Sequence, residues 1–383
     1  MNYIDWYKHN FEAAILGRYV TLEHIQPVLE SYKNVFKTVV AGYSEKEQKI
    51  PLIKIGHGKK VVLAWSQMHG NESTTTKAIF DFFAFLSKQS SFQPQVDAFK
   101  QQYTFYVLPM LNPDGAAAYT RENANMFDLN RDALELSQRE SMLLRSVFDS
   151  VKPDLCLNLH DQRTIYGLST KKPATISFLS PAANKKRSIT IARIESMQLI
   201  AKMNAMLQQH IPGQVGRYDD TFNVNCVGDT FQKKEVPTIL FEAGHFPDDY
   251  QREKTREYIF YALLALFDII PALDTQYDVS DYLKIPQNQK NFKDIILRNV
   301  NVATNIGVTD VAIQYSEQLI KGAIQFVPVI DFIGDLSDIY GHVEQDLKGK
   351  SILLNSHKNL QIGQELLKIN DDTDTINDYF TIK

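Results

Sequence analysis

Apolar residues recur along roughly the first seven-tenths of the chain in two alternating rhythms. After Thr21, a side chain suited to an N-cap, Leu22, Ile25, Val28, Leu29 and Tyr32 carry helical spacing. This predicts a helix over residues 21–34, with Pro27 as an internal irregularity. Phe36 to Tyr43 and Ile50 to Ile55 read as strands joined by the polar Ser44-Glu45-Lys46-Glu47-Gln48, a hairpin pattern. Past the turn at Gly56-His57-Gly58-Lys59-Lys60, the uninterrupted apolar run Val61-Val62-Leu63-Ala64-Trp65 predicts a buried strand. A helix is expected from about Ser73, carrying Ile79, Phe82, Phe83 and Leu86. The alternation continues with strand Thr104–Leu108, a loop through Arg131, helix Ser137–Val151 and strand Leu155–Leu159. Helix Ile191–Gln209, strand Thr238–Phe241 and helix Glu253–Ile269 complete it.

Strands alternating with helices argue for an α/β layered sheet. After about residue 275 the pattern changes to short β-like runs at residues 299–303, 311–315, 323–326 and 352–354, separated by Gly and Asp turns. The chain therefore reads as two domains, residues 1–285 and a small, mostly β C-terminal domain of residues 286–383, with residues 370–374 as a loop.

Composition narrows the function classes. With 383 residues, 44% hydrophobic and 22% charged, the chain is an ordinary globular sequence with room for a large core. A formal net charge of -4 gives no broad cationic field, so no nucleic-acid partner is expected, and Lys185-Lys186-Arg187 reads as a solvated loop. No run approaches the ~18 apolar residues of a membrane span, so no membrane partner is expected. The first residues lack the basic and apolar pattern of a secretory signal, and Cys156 and Cys226 make no disulfide framework. A cytoplasmic location is the expectation.

The chemistry gathers where strands end. In open α/β sheets, ligands sit at the carboxyl ends of the strands. The four expected strands lead into His69-Gly70-Asn71-Glu72, into Asn112-Pro113-Asp114-Gly115 and then Arg121, into His160-Asp161, and into Glu242-Ala243-Gly244-His245. If the strands are parallel neighbours, these groups converge on one pocket. A catalytic zinc takes three protein ligands and leaves one position open. His69 and Glu72 on one tight strand-to-helix turn, where Gly70 lets the chain bend, and His160 from a distant strand satisfy that count. Such an ion activates water and polarises a carbonyl, and Glu242 is placed to act as general base and later proton donor.

The stretches Met68-His69-Gly70-Asn71-Glu72, Leu111-Asn112-Pro113-Asp114-Gly115, Asp128-Leu129-Asn130-Arg131, Leu157-Asn158-Leu159-His160 and Phe241-Glu242-Ala243-Gly244 together resemble the zinc carboxypeptidase (carboxypeptidase A-like) metallopeptidases over about residues 50–260. The resemblance implies a mixed eight-stranded sheet flanked by helices. It implies one Zn2+ per chain held by His69, Glu72 and His160, with Glu242 as the base. It also implies that Asn130 and Arg131 bind the terminal carboxylate of the substrate, a task suited to the planar fork of arginine. Arg121 would polarise the scissile carbonyl and stabilise the oxyanion, and Asp128 would accept the second ring N–H of His69.

The chain departs from the family pattern at several places. Asn71 stands where digestive members carry an arginine, and is shared with the branch that resembles aspartoacylase and succinylglutamate desuccinylase. The family's mobile tyrosine has no clear counterpart, and Tyr218 is the nearest tyrosine upstream of Glu242. Met126 and Phe127 replace a common Gly-Val pair, Arg163 reads as a rim or ion-pair residue, and His245 as structural. Two substrate classes stay open: a peptide losing its C-terminal residue, which leads, and an N-acyl amino acid being deacylated. A non-catalytic zinc- or peptide-binding protein is disfavoured by the intact set of ligands plus Glu242. Self-association is left open.

Overall fold

The computed structural model describes residues 2–271, 273, 276–302, 307–350, 352–354, 361–365 and 369–371. The chain divides into two compact units, one formed by Met1–Gln162 with Ala174–Asn288 and the other by Arg163–Pro173 with Gln289–Lys383.

In the first unit the helices are Tyr3–Asn10 (α1), Leu22–Ser31 (α2), Thr74–Ser87 (α3), Gln93–Gln102 (α4), Pro113–Ala118 (α5), Arg139–Val151 (α6), Ile191–Leu207 (α7), Val227–Lys233 (α8), Glu253–Leu266 (α9) and Val279–Leu283 (α10). The strands are Lys37–Tyr43 (β1), Lys49–Gly56 (β2), Lys60–Ser66 (β3), Tyr103–Leu108 (β4), Leu155–Asp161 (β5), Ile176–Leu179 (β6), Val215–Arg217 (β7) and Thr238–Ala243 (β8). Among the described residues these form one eight-stranded sheet in the order β1-β2-β4-β3-β5-β8-β6-β7. The four central strands, β4, β3, β5 and β8, run parallel. β2 joins β4 antiparallel, and β6 joins β8 antiparallel, so the sheet is mixed as expected.

Strand order places the site. From β3 the chain crosses to β4 on one side and then returns to β5 on the other. That reversal opens a crevice at the carboxyl ends of β3 and β5, the ends that lead into His69 and carry His160. Period-two alternation sorts the strand residues between two cores. Val62 and Ala64 of β3, Leu155, Leu157 and Leu159 of β5, and Ile239, Phe241 and Ala243 of β8 join the larger core with α1, α3, α7 and α9. Leu63, Trp65 and Cys156 join the smaller core with α6 and α8. Asn158 and His160 therefore share the second face of β5.

The expected helices and strands of this unit all appear, with ends shifted by a few residues. Pro27 lies inside α2 without breaking it, and the His24 ring accepts the Thr21 backbone N–H at 3.1 Å at its start. α1, α4, α5, α8, α10, β6 and β7 were not foreseen. β6 and β7 span four and three residues, too few for a period to show. α1 buries only Trp6 and Tyr7 of its eight residues.

The second unit carries Phe292–Val302 (β9), Gly307–Ile320 (β10), Ala323–Gly334 (β11), Tyr340–Asp346 (β12), Ile352–Leu354 (β13) and Ile369–Asp371 (β14). They form a four-stranded sheet in the order β11-β10-β9-β12 and a β13-β14 pair, which makes this unit mostly β as expected. β12 was missed because Tyr-Gly-His-Val-Glu-Gln-Asp shows little apolar alternation; it pairs parallel to β9. The loop expected at residues 370–374 is corrected in part. Asn370 and Asp371 pair in β14, because their backbone groups complete a ladder with β13, while residues 372–374 lie outside the described residues.

One buried ion pair fastens the helices over the larger core. Asp81 of α3 and Arg256 of α9 are both fully buried and joined by two bonds of 2.6 Å. Asp81 also accepts from the Tyr7 hydroxyl at 3.1 Å and the Glu12 N–H at 2.8 Å. Removing one partner of such a pair leaves an uncompensated buried charge. Asp81→Ala is expected to cost about 3–5 kcal/mol, read as a lower urea midpoint at unchanged slope.

Candidate metal centre and active site

Directly after β3, the backbone enters a tight turn that carries two candidate ligands. Gln67 adopts φ 49°, an uncommon conformation for a non-glycine residue, and its side chain holds the turn by donating to Val20 O (2.7 Å) and Gly70 O (2.9 Å). Gly70 is required for a different reason from the one expected. Its φ is not left-handed; instead, a Cβ there would lie 1.9 Å from the Gly115 carbonyl carbon. The N-P-D-G segment supplies that packing: Asn112 caps α5 through the Gly115 N–H (2.8 Å) and donates to Met68 O and Glu122 O, both at 3.1 Å.

The turn brings His69 and Glu72 against His160. His69 Nδ1 lies 2.8 Å from Glu72 Oε1, and His160 Nδ1 lies 2.8 Å from Glu72 Oε2. The two Nδ1 atoms are 3.1 Å apart. All three side chains are buried, and their donor atoms lie within 4.8 Å of one another. Two nitrogens and a carboxylate oxygen are the donor set of catalytic zinc. When two imidazole nitrogens face each other at hydrogen-bond distance, one must carry a proton, whereas a dication satisfies all three lone pairs at once. The residues present fit the ion.

Electrostatics follow from burial and proximity. Burial pushes the Glu72 carboxyl up, but the His69 and His160 rings outweigh it and hold the group well below the usual carboxylate range. Burial lowers His69, yet the Glu72 carboxylate and the bond to Asp128 leave it raised, whereas burial dominates at His160 and leaves it lowered.

Asp128 sits where the resemblance implies: its Oδ1 lies 3.1 Å from His69 Nε2. The same oxygen accepts the Asn130 N–H at 2.9 Å, capping the short 3-10 turn Leu129–Arg131. The metal side and the Asn130-Arg131 turn are thus hung on one carboxylate. Arg121 spans Asp128 Oδ2, with Nε and Nη2 both at 3.1 Å, and Glu72 Oε1 at 3.2 Å, so it faces the triad directly. Arg131 is exposed, with Nη1 donating to Asn130 O (2.8 Å) and Cys226 Sγ (3.2 Å). Asn130 Oδ1 accepts the Val227 N–H at 3.1 Å, leaving its amide donors for another partner.

Glu242 is the register partner of His160 across the parallel β5–β8 pair, so both project from the same face. Burial, then the charges of Glu72 and Asp161, push its carboxyl well above the ordinary range. Tyr218 lies just past β7, half-buried, with its backbone N–H bonded to Phe178 O at 3.0 Å. His245 is buried with its ring against Tyr250, consistent with a structural role, and Arg163 falls in the second unit.

Sequence reasoning placed Asp161 at a strand end but gave it no role. Its backbone N–H donates to Glu72 Oε2 at 3.1 Å, and its carboxylate takes the Thr74 N–H at 3.0 Å and Arg18 Nη1 at 3.3 Å. It therefore ties the first turn of α3 to the strand that bears His160. An acid directly after a candidate ligand, together with the Ser73-Thr74-Thr75-Thr76 run, was the available signal.

The fold and the three-donor cluster define a class: a mixed α/β sheet with a zinc-type site at its switch point. Residues 21–168, which include His69, Glu72 and His160, match the family model described as zinc carboxypeptidase. Carboxypeptidase 2 of Trichophyton tonsurans is 25% identical over 128 residues, which cover 31% of this chain and 23% of that protein. Carboxypeptidase 2 of Trichophyton rubrum is 25% identical over 132 residues, covering 32% and 24%. The chain thus spans about a quarter of the length of the curated relatives it matches. Among solved structures, a metallo-carboxypeptidase from Burkholderia cenocepacia aligns with a TM-score of 0.54 at 16% identity, over 65% of this chain and 69% of that one. A Pseudomonas aeruginosa metallo-carboxypeptidase in complex with (2-guanidinoethylmercapto)succinic acid aligns at 0.51 and 16%, over 65% and 70%. These likenesses establish the fold.

Because Asp128 orients the His69 ring, Asp128→Ala is expected to weaken zinc binding by about 10- to 100-fold. Competition with a chromophoric chelator measures it.

Proposed function

We propose that the chain is a zinc-dependent metallocarboxypeptidase that hydrolyses the C-terminal peptide bond of a peptide, with one zinc per chain. The observation that carries the reading is the convergence of His69, Glu72 and His160, with Glu242 beside His160 in the adjoining strand. Bound zinc supplies Lewis-acid polarisation of the scissile carbonyl and activation of water.

The chain's own residues do the rest. Arg131 and Asn130 hold the terminal carboxylate, Arg131 because its guanidinium is exposed and charged, Asn130 because its amide N–H groups are left over. Arg121, fixed by Glu72 and Asp128, presents positive charge to the developing oxyanion. Glu242 takes the proton of the attacking water and delivers it to the leaving amine. Tyr218 is assigned the substrate-covering role.

The first unit contains every one of these residues and is the catalytic domain in this reading. A cytoplasmic location belongs to it, in keeping with Cys156 and Cys226 both being free thiols. No described helix is long and apolar enough to cross a membrane.

Asn71 favours a second reading, deacylation of an N-acyl amino acid by the same groups. Its side-chain oxygen is buried without a hydrogen-bond partner next to candidate ligand Glu72, so a substrate group is a candidate to fill that bond. Assay of peptides beside N-acetyl and N-succinyl amino acids separates the two, and turnover of only the acylated amino acids would overturn the first. Glu242→Gln is expected to retain zinc while losing about 10²- to 10⁴-fold in kcat; undiminished turnover would remove Glu242 from its role.

A further inference from the structure

Arg131 is exposed, yet its guanidinium is held from one side. Nη1 donates to two acceptors, Asn130 O at 2.8 Å and Cys226 Sγ at 3.2 Å, and so uses both its hydrogens. A single acceptor lets a planar guanidinium swing; two on one nitrogen fix its plane. Among the described residues Nε and Nη2 make no hydrogen bond. These two nitrogens form the side edge of the fork, which a carboxylate meets with two parallel bonds.

Cys226 is the N-cap of α8, but its side chain caps nothing there. The thiol bonds instead to the carboxylate of Asp229, three residues on. Asp229 is buried and also takes the Asn223 N–H at 3.3 Å. A thiol that accepts from a guanidinium and bonds a carboxylate gives its one hydrogen to the carboxylate. Burial outweighs the nearby guanidinium and pushes the thiol up to about 11, so it is neutral at neutral pH and leaves the charge of Arg131 for the substrate. The backbone around the contact is joined independently, Ala133 N–H to Asn225 O at 3.2 Å and Val227 N–H to Asn130 Oδ1 at 3.1 Å. The thiol contact therefore acts on the Arg131 side chain.

We propose that Cys226 is a positioning residue for the carboxylate clamp: giving its own hydrogen to Asp229, the thiol holds Nη1 of Arg131 and turns the Nε–Nη2 edge to the terminal carboxylate of the substrate. An exposed arginine gives up its rotamers when it binds, and holding it beforehand removes part of that loss. The inference rests on the reading of Arg131 as the clamp and holds for either substrate class.

The test uses the full-length zinc enzyme and compares KM with kcat on the peptide or acylated amino acid that it turns over. Cys226→Ala is expected to raise KM roughly 3- to 10-fold with kcat kept. Cys226→Ser, whose hydroxyl both donates and accepts, is expected to stay near the wild-type KM. Cys226→Asp supplies a better helix cap and is expected to unfold no earlier than wild type. It is nevertheless expected to raise KM more than Cys226→Ala, because a carboxylate there takes up the charge of Arg131. A merely structural role would order the variants by stability and leave KM alone. Unchanged KM in Cys226→Asp, a serine variant as impaired as the alanine one, or a loss confined to kcat overturns this inference alone. Serine against aspartate decides it even where Cys226→Ala does not fold. Absence of turnover on every peptide and acylated amino acid overturns it together with the function it rests on.

Discussion

Holding one carboxylate between two imidazoles, out of water, is the constraint from which the rest of the first unit follows. Glu72 places one oxygen 2.8 Å from each ring, and both rings and the carboxylate are buried. Burying a charge is expensive unless it is paired and hydrogen-bonded. The surrounding structure meets that demand group by group: Arg121 and the Asp161 N–H reach Glu72, and Asp128 orients His69. Each of these also holds something else. Asp128 caps the turn bearing Asn130, and Asp161 anchors the start of α3. The candidate metal site and the candidate carboxylate clamp are consequently positioned by shared groups.

The sheet makes this arrangement possible. Parallel β3, β5 and β8 deliver His69, His160 and Glu242 at one edge, and the reversal of strand order beside β3 leaves a crevice there. Precision comes from close backbone approach. Gly70 lies against Gly115, so the turn after β3 and the N-P-D-G segment after β4 position each other. A side chain at Gly70 would displace His69 and Glu72 together.

The alternation of strands and helices and the groups at strand ends were readable because each strand is a continuous apolar run ended by polar residues of unusual type. The Asp128-to-Arg131 stretch could be placed only through its resemblance to a family, since its geometry depends on hydrogen bonds between loops. Asp161 was named at its strand end but given no role, because its contacts, Arg18 and Thr74, come from distant parts of the chain. Gly70 was identified correctly but for the wrong reason: flexibility is a local property, whereas packing against Gly115 is tertiary. β12 lacks clear apolar alternation and was invisible for that cause.

Anomalous diffraction at the zinc absorption edge, from crystals of the purified chain, tests the central claim most directly. The account predicts one strong peak per chain, within about 2.0–2.2 Å of a nitrogen of His69, a nitrogen of His160 and an oxygen of Glu72. A peak at other side chains, or none in protein that is active, would contradict it.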